Sequence, residues 1–467
     1  MRLSDRSAVD LLALIARREA SCVEVMADHL ERIAATNGAL NAIVSLRDRE
    51  GLLFEAAAAD AAPSRGALHG LPLAVKDLVA VKGLRTTYGS PVFADHVPVA
   101  DDLLAARMRA AGAIFIGKTN TPEWGQGSHS FNPVHGVTRN PYDLGRTAGG
   151  SSGGAAAALA ARMVPVADGS DMMGSLRNPA AFCNVYGFRP TWGLVPADAV
   201  GDTFLATLAT EGPMARDIAD LALLLSVQAG ENPAVPFGRN AAFATPQADM
   251  RGKRIGWLGD WGGAYAMEPG ILAQSESALR VFEDLGAVVE VLAPPFPAEK
   301  LWQSWITLRA MLSAGGKRAL YEDAESRALT KPETIWEIEQ GLSLSAQAVY
   351  DASVIRSRWY AVAAALFDRF DALVLPSAQV WPFPVEWRWP EAINGRKMDT
   401  YHRWMEVVVP ASLAGVPALA LPAGFGDAGL PMGVQLIGRS GADAAILAMG
   451  EAYHEATDWP GQHPPPA

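Results

Sequence analysis

Residues 149–179 read GGSSGGAAAALAARMVPVADGSDMMGSLRNP, and this stretch limits the fold more than any other. Four serines stand in two glycine-lined clusters, joined by an alanine-rich run with the composition of a helix. A flexible linker accounts for Gly and Ser but not for the AAAALAARMVPVA that follows. Glycines around a serine serve a backbone that takes unusual conformations or approaches its neighbours closely. Two of these serines are therefore read as chemically active, and the rest of the chain has to supply a base. A serine hydroxyl holds its proton near neutral pH and is a weak nucleophile unaided.

Histidine is the usual proton acceptor, but the serine region contains none. His402, His454 and His463 fall in helical or tail contexts with no assignable acidic partner. Lysine serves when burial disfavours its ammonium form. Leu71-Pro-Leu-Ala-Val75 is an apolar run that predicts a buried strand, and Lys76 follows it, so this amine is placed at the edge of the core. Two other motif matches fail on context. Gly112-Ala-Ile-Phe-Ile-Gly117-Lys118-Thr119 fits the phosphate-loop pattern letter for letter. Such a loop needs a strand before it and a helix opening at Lys-Thr, whereas here a helix over 101–111 comes first and a strand over 113–117 lies inside. Gly149-Gly-Ser151-Ser-Gly153 fits G-x-S-x-G, but the preceding RNPYDLGRTA is a loop.

Residues 7–36 predict two helices broken near Ala20-Ser21, with Ser21 capping the second. Further helices are predicted at 215–229, 270–285, 300–322, 345–369 and 442–456. Strands are predicted at 253–258, 287–292, 371–375, 417–421 and 432–437. This alternation makes the class α/β. Residues 230–252 are loop-rich, yet no linker divides the chain. The expectation is one domain over 1–467, with a helical flank at 1–60, a catalytic core at 61–230 and the remaining sheet and pocket region at 231–467.

The net charge of −11 and pI of about 5.3 repel phosphate backbones and exclude nucleic acid as the main partner. Cys22 and Cys183 are the only cysteines, which rules out a disulfide scaffold and suits a reducing compartment. Asp10, Arg17, Arg18 and Glu19 interrupt the first apolar run, so it is an amphipathic helix and not a signal segment. No window nears the roughly 20 apolar residues of a membrane span. A cytoplasmic location is expected, without membrane contact.

The chain resembles the amidase signature family. The match comprises PLAVKD at 72–77, TRNPYD at 138–143, GGSSGGAAAALA at 149–160, DGSDMMGSLRNPAAFCNVYGFRPT at 168–191 and GLPMGVQLIGR at 429–439. It runs in order over roughly residues 5–455. The resemblance implies a fold with a single large mixed β-sheet flanked by helices on both faces. It also implies a Ser–cisSer–Lys triad. Ser175 is the nucleophile, Ser151 is the bridging serine beside a cis peptide, and Lys76 is the general base. Ser175 follows Ser151 by 24 residues, as in the family. The oxyanion would rest on the backbone N–H groups of Met172, Met173 and Gly174. Met173 stands where the family usually has glycine, so either the backbone there is ordinary or the hole is reshaped.

Around these, Asp171 and Arg177 are expected to pair and hold the nucleophile turn, and Ser170 to assist the relay. Ser152 is expected to cap the alanine helix, Cys183 to pack as a core thiol, and Asn140-Pro141 and Asn178-Pro179 to form turns. Gly125, Gln126 and Gly127 align with the family's acyl-pocket wall. WPFPVEWRWP at 381–390 reads as a shaped loop at a pocket rim, which favours a bulky or aryl acyl group. The function implied is hydrolysis of a small carboxamide, with esterase activity beside it and no metal or organic cofactor. A homodimer is the one assembly left open. Two alternatives stand beside it: the glutaminase-type component (the A-type subunit) of a tRNA-dependent amidotransferase, and a catalytically silent binding protein on the same fold.

Overall fold

A computed structural model describes residues 2–63, 66–243 and 248–466. Positions 64–65 and 244–247, inside the predicted core and the loop-rich stretch respectively, lie outside the described residues, as do both terminal residues. The N-terminal flank forms α1 (Ala8–Ala16), α2 (Cys22–Leu40) and α3 (Arg49–Ala61). Ser21 caps α2 as predicted. Its hydroxyl accepts the Glu24 N–H at 3.1 Å while the Glu24 carboxylate accepts the Ser21 N–H at 2.8 Å, a reciprocal capping box.

Two sheets follow. The first has three strands, β1 (Ile43–Val44), β2 (Pro72–Lys76) and β3 (Ile114–Thr119), in the order β1-β3-β2. Helix α4 (Leu103–Ala110) precedes β3, so the phosphate-loop match at 112–119 is mostly strand, and the Lys118 ammonium is buried and donates to the Val79 carbonyl. The second sheet is the large mixed one. Its strands are β4 (Val166–Asp171), β5 (Tyr186–Arg189), β6 (Thr210–Ala215), β7 (Arg254–Trp257), β8 (Val288–Val291), β9 (Ala372–Pro376), β10 (Ala418–Phe425) and β11 (Pro431–Ile437). They lie in the order β8-β7-β9-β11-β10-β5-β6-β4. β7 is parallel to both neighbours, and the other pairs are antiparallel.

Helices α5 (Gly153–Ala160), α6 (Arg177–Phe182), α7 (Ile218–Gln228) and α8 (Ile271–Asp284) pack on these strands. Every residue of α5 is buried, which its alanines and glycines permit by letting neighbours approach. Asn178 belongs to α6 and not to a turn; its amide donates to the Ser377 carbonyl at 2.6 Å. Three helices, α9 (Ala298–Glu322), α10 (Pro332–Leu342) and α11 (Ala346–Phe367), pack together, and α12 (Asp443–Thr457) is followed by a short helix at Trp459–Gln462. Among the described residues no helix is long and apolar enough to cross a membrane.

Candidate active site

Lys76 ends β2, and its side chain is 0 % exposed. Its backbone N–H donates to both oxygens of Asp168 on β4, at 3.0 and 3.2 Å, and this joins the small sheet to the large one. The amine meets three hydroxyls: Ser151 Oγ at 2.8 Å, Ser152 Oγ at 2.9 Å and Ser170 Oγ at 2.7 Å. Burial disfavours the ammonium form and brings the Lys76 pKa down to about 8, although Glu211, Asp168 and Asp171 each pull it upward. The expectation that Ser152 caps α5 through its side chain does not hold. Ser152 occupies the N-cap position of α5 but makes no side-chain cap bond, because its hydroxyl is turned to the amine. The doubled serine of GGSSGG was the signal for this.

The peptide Gly150–Ser151 is cis. Ser175 lies with Ser151 and Ser170 on a pocket of about 220 Å³, where its carbonyl accepts the Ser152 N–H at 3.2 Å. The turn that carries Ser175 is built on Asp171. This carboxylate accepts the Gly174 N–H at 2.8 Å and the Leu176 N–H at 3.2 Å, and it pairs with Arg177 through two bonds of 2.9 Å. Both side chains are fully buried. Burial alone raises a carboxyl pKa, but the adjacent Arg177 guanidinium overcomes it and holds Asp171 down at about 2. Arg177 in turn donates to the Val408 carbonyl, Gln435 Oε1 and Ser412 Oγ.

One sequence expectation about this turn changes, and one of the two alternatives left open at Met173 is met. The Gly174 N–H already serves Asp171, so it is not a free oxyanion donor; the amides of Met172, Met173 and Ser175 have no backbone or side-chain acceptor among the described residues. Met173 has an ordinary backbone, and the left-handed conformation falls on Gly174, φ +81°. Methionine is therefore accommodated without a distorted turn.

Gly125, Gln126 and Gly127 do line the pocket. Gln126 also ties it together: its amide nitrogen donates to Ser313 Oγ at 3.0 Å and Glu337 Oε2 at 2.6 Å. The opposite wall was missed from sequence. It comes from α9 and α10 and contains Arg309, Leu312, Lys317 and Glu337. Arg309 donates to Glu337 at 2.6 Å and to the Tyr401 hydroxyl at 2.9 Å. Against the effect of burial, Arg309 keeps the Glu337 carboxyl down at about 2. Charged residues that recur on the buried side of α9 and α10 were the available signal. Trp124, Met172, Met173 and Met405 supply apolar surface.

The Trp-rich loop is not a rim of this pocket. Trp381, Phe383 and Trp387 line a separate groove with Arg146, Glu268 and Gln274, while Trp302, Trp305 and Trp404 are buried in the core. Cys183 is a core thiol, and burial pushes its pKa up.

The family model described as Amidase matches residues 24–447. An acylamidase of Rhodococcus erythropolis is 32% identical over 474 residues, covering 98% of this chain and 97% of that protein. The A-type subunit of the glutamyl-tRNA(Gln) amidotransferase of Thermus thermophilus is 37% identical over 476 residues, covering 96% of each. A crystal structure of a bacterial aryl acylamidase of the amidase signature enzymes superposes with a TM-score of 0.90 at 29% identity, covering 99% of both chains. With the cis Gly150–Ser151 peptide and the lysine–serine cluster in the matched region, the chain belongs to the amidase signature family.

Proposed function

We propose that this protein hydrolyses a carboxamide through an acyl-enzyme on Ser175, with Lys76 as base and Ser151 as the bridge between them. The observation that carries this is the buried Lys76 amine 2.8 Å from Ser151 Oγ on the pocket that also holds Ser175. Neutral Lys76 takes the Ser151 proton, and Ser151 takes the Ser175 proton as Ser175 Oγ attacks the carbonyl carbon. The relay then runs backward and protonates the leaving nitrogen, which amide cleavage requires. Water enters and the same groups release the acid. Ser152 and Ser170 orient the amine. The oxyanion rests on backbone N–H groups of Met172, Met173 and Ser175, each such donor being worth about 3–4 kcal/mol in the transition state.

Trp124, Met172, Met173, Leu312 and Met405 support a bulky or aryl acyl group, as does the likeness to an aryl acylamidase. The whole chain acts as one catalytic domain in this reading. Purified protein is expected to hydrolyse simple aryl amides, and Ser175→Ala to abolish turnover and labelling by a fluorophosphonate while leaving the circular dichroism spectrum intact. Normal turnover in that variant would refute the assignment. The 37% identical relative supports a second reading, a component that releases ammonia from glutamine beside partner chains. Glutaminase activity that appears only with such partners, and no hydrolysis of simple amides alone, would favour it.

A further inference from the structure

The active-site pocket has a neighbour. A second cavity, of about 310 Å³, shares Leu78, Ala209 and Glu211 with it. The two differ in charge. Arg309 and Lys317 balance Glu211 and Glu337 in the active-site pocket, whereas the neighbouring cavity is lined by Asp102, Asp198, Asp202 and Glu211 with no lysine, arginine or histidine among its lining residues. Trp192 adds an aromatic face, a surface that attracts cations.

Three of these acids have backbone partners. Asp102 accepts the Ala80 N–H at 2.6 Å, Asp198 the Leu103 N–H at 2.9 Å, and Asp202 the Leu205 N–H at 3.0 Å. Glu211 differs, because its Oε2 is buried and has no hydrogen-bond partner among the described residues. An unpartnered buried carboxylate oxygen is costly, and burial accordingly pushes the Glu211 pKa up, against the opposing pull of the Lys76 amine. A cation beside it removes that cost.

The strand register shows which part of the reaction Glu211 borders. Glu211 on β6 pairs directly with Ser170 on β4, so the two side chains share one face of the sheet. Ser170 Oγ accepts from the Lys76 amine. Ser151 and Ser170 line the pocket in which the relay protonates the leaving nitrogen, and Glu211 lines both that pocket and the acidic cavity.

We propose that this cavity is a leaving-group subsite for a cationic amine, and that Glu211, backed by Asp102, Asp198 and Asp202, selects amides whose amine portion carries an ammonium group. The inference rests on the amide-hydrolase reading of the same site. The amide C–N bond breaks, the nitrogen takes one proton from the relay, and the freed amine takes a second from solvent. No oxidant or reductant is involved.

Two amides of one aryl acid test it, the 3-aminopropyl amide and the neutral butyl amide of equal chain length. kcat/KM is expected to be about tenfold higher for the first, the ratio given by about 1.4 kcal/mol. Glu211→Gln removes most of that preference. Asp198→Asn, which keeps an oxygen for the Leu103 N–H, removes part of it. Because Glu211 also acts on the Lys76 pKa, the ratio is the readout: an effect through Lys76 falls on both substrates alike. A ratio near one in the wild-type enzyme, or one that Glu211→Gln leaves unchanged, overturns the subsite. A second measurement needs no turnover. Calorimetry should detect 1,3-diaminopropane binding to Ser175→Ala and not to Ser175→Ala/Glu211→Gln. If neither amide is hydrolysed, the hydrolase reading fails, and calorimetry alone then decides the subsite, with no diamine binding overturning it.

Discussion

Lys76 sits between opposed influences. Burial favours its free amine, while the carboxylates of Glu211 on β6 and of Asp168 and Asp171 on β4 favour the ammonium. Lys118, on the adjacent strand β3, lies near Asp168 as a further buried cation. A general base works only when unprotonated, so kcat/KM is expected to rise with pH and level off above about 8. Glu211→Gln and Asp168→Asn each remove a group that raises the Lys76 pKa, and each should move the rise to lower pH. A pH–rate profile without a rise through this range contradicts Lys76 as the base. Asp171 gives a prediction about stability. Its folded pKa of about 2 lies below the ordinary 3.8, so its contribution is present above the ordinary value and is lost as pH falls toward about 2. Asp171→Asn leaves Arg177 buried without its counter-charge and should cost about 3–5 kcal/mol in urea unfolding. The proposed triad residues and the Asp171–Arg177 pair were legible as residues, from motifs. Glu211 and the contact of Ser152 with the Lys76 amine were not, since each is defined by a neighbour on another strand.

Helix α5 shows how packing overrides local preference. Alanine forms helices better than glycine by about 1 kcal/mol, so propensity alone favours Gly154→Ala. A Cβ there would meet the Asn120 nitrogen at 2.3 Å and its carbonyl oxygen at 2.7 Å. The crowding outweighs the gain, and a net destabilisation of about 1–3 kcal/mol is expected, measured by denaturant midpoint. At α2, Ser21→Ala removes a capping box and should cost about 1 kcal/mol. Part of the periodic structure was readable from the chain: the break before Ser21, the helices α9 and α11 and the strands β7, β9, β10 and β11 fall where apolar spacing puts them, whereas α3, α10 and β4 to β6 were not assigned. The Trp-rich loop was misplaced for a physical reason. Its aromatic composition is shared by a core, a groove and a pocket rim, and only tertiary contacts separate the three.

Across the molecule, the candidate site is a junction. β2 of the small sheet brings the amine, β4 of the large sheet brings Asp168, Ser170 and Asp171, and α9 and α10 close the pocket from more than a hundred residues away. Asp168→Ala should therefore loosen the contact between the sheets and lower kcat far more than KM, because the base is displaced while the pocket wall remains. The α9–α10 wall could not be placed from the sequence, as Glu337 meets Gln126 and Arg309 only after the helices fold back. The sealing of Lys76 has a practical consequence. Coupling chemistry aimed at amines will find Lys82, Lys300 and Lys397 at the surface, while Lys76, the amine proposed as the base, stays out of reach. The protein is thereby suited to tethering on an aldehyde- or ester-activated support, with its activity carried over onto the solid phase.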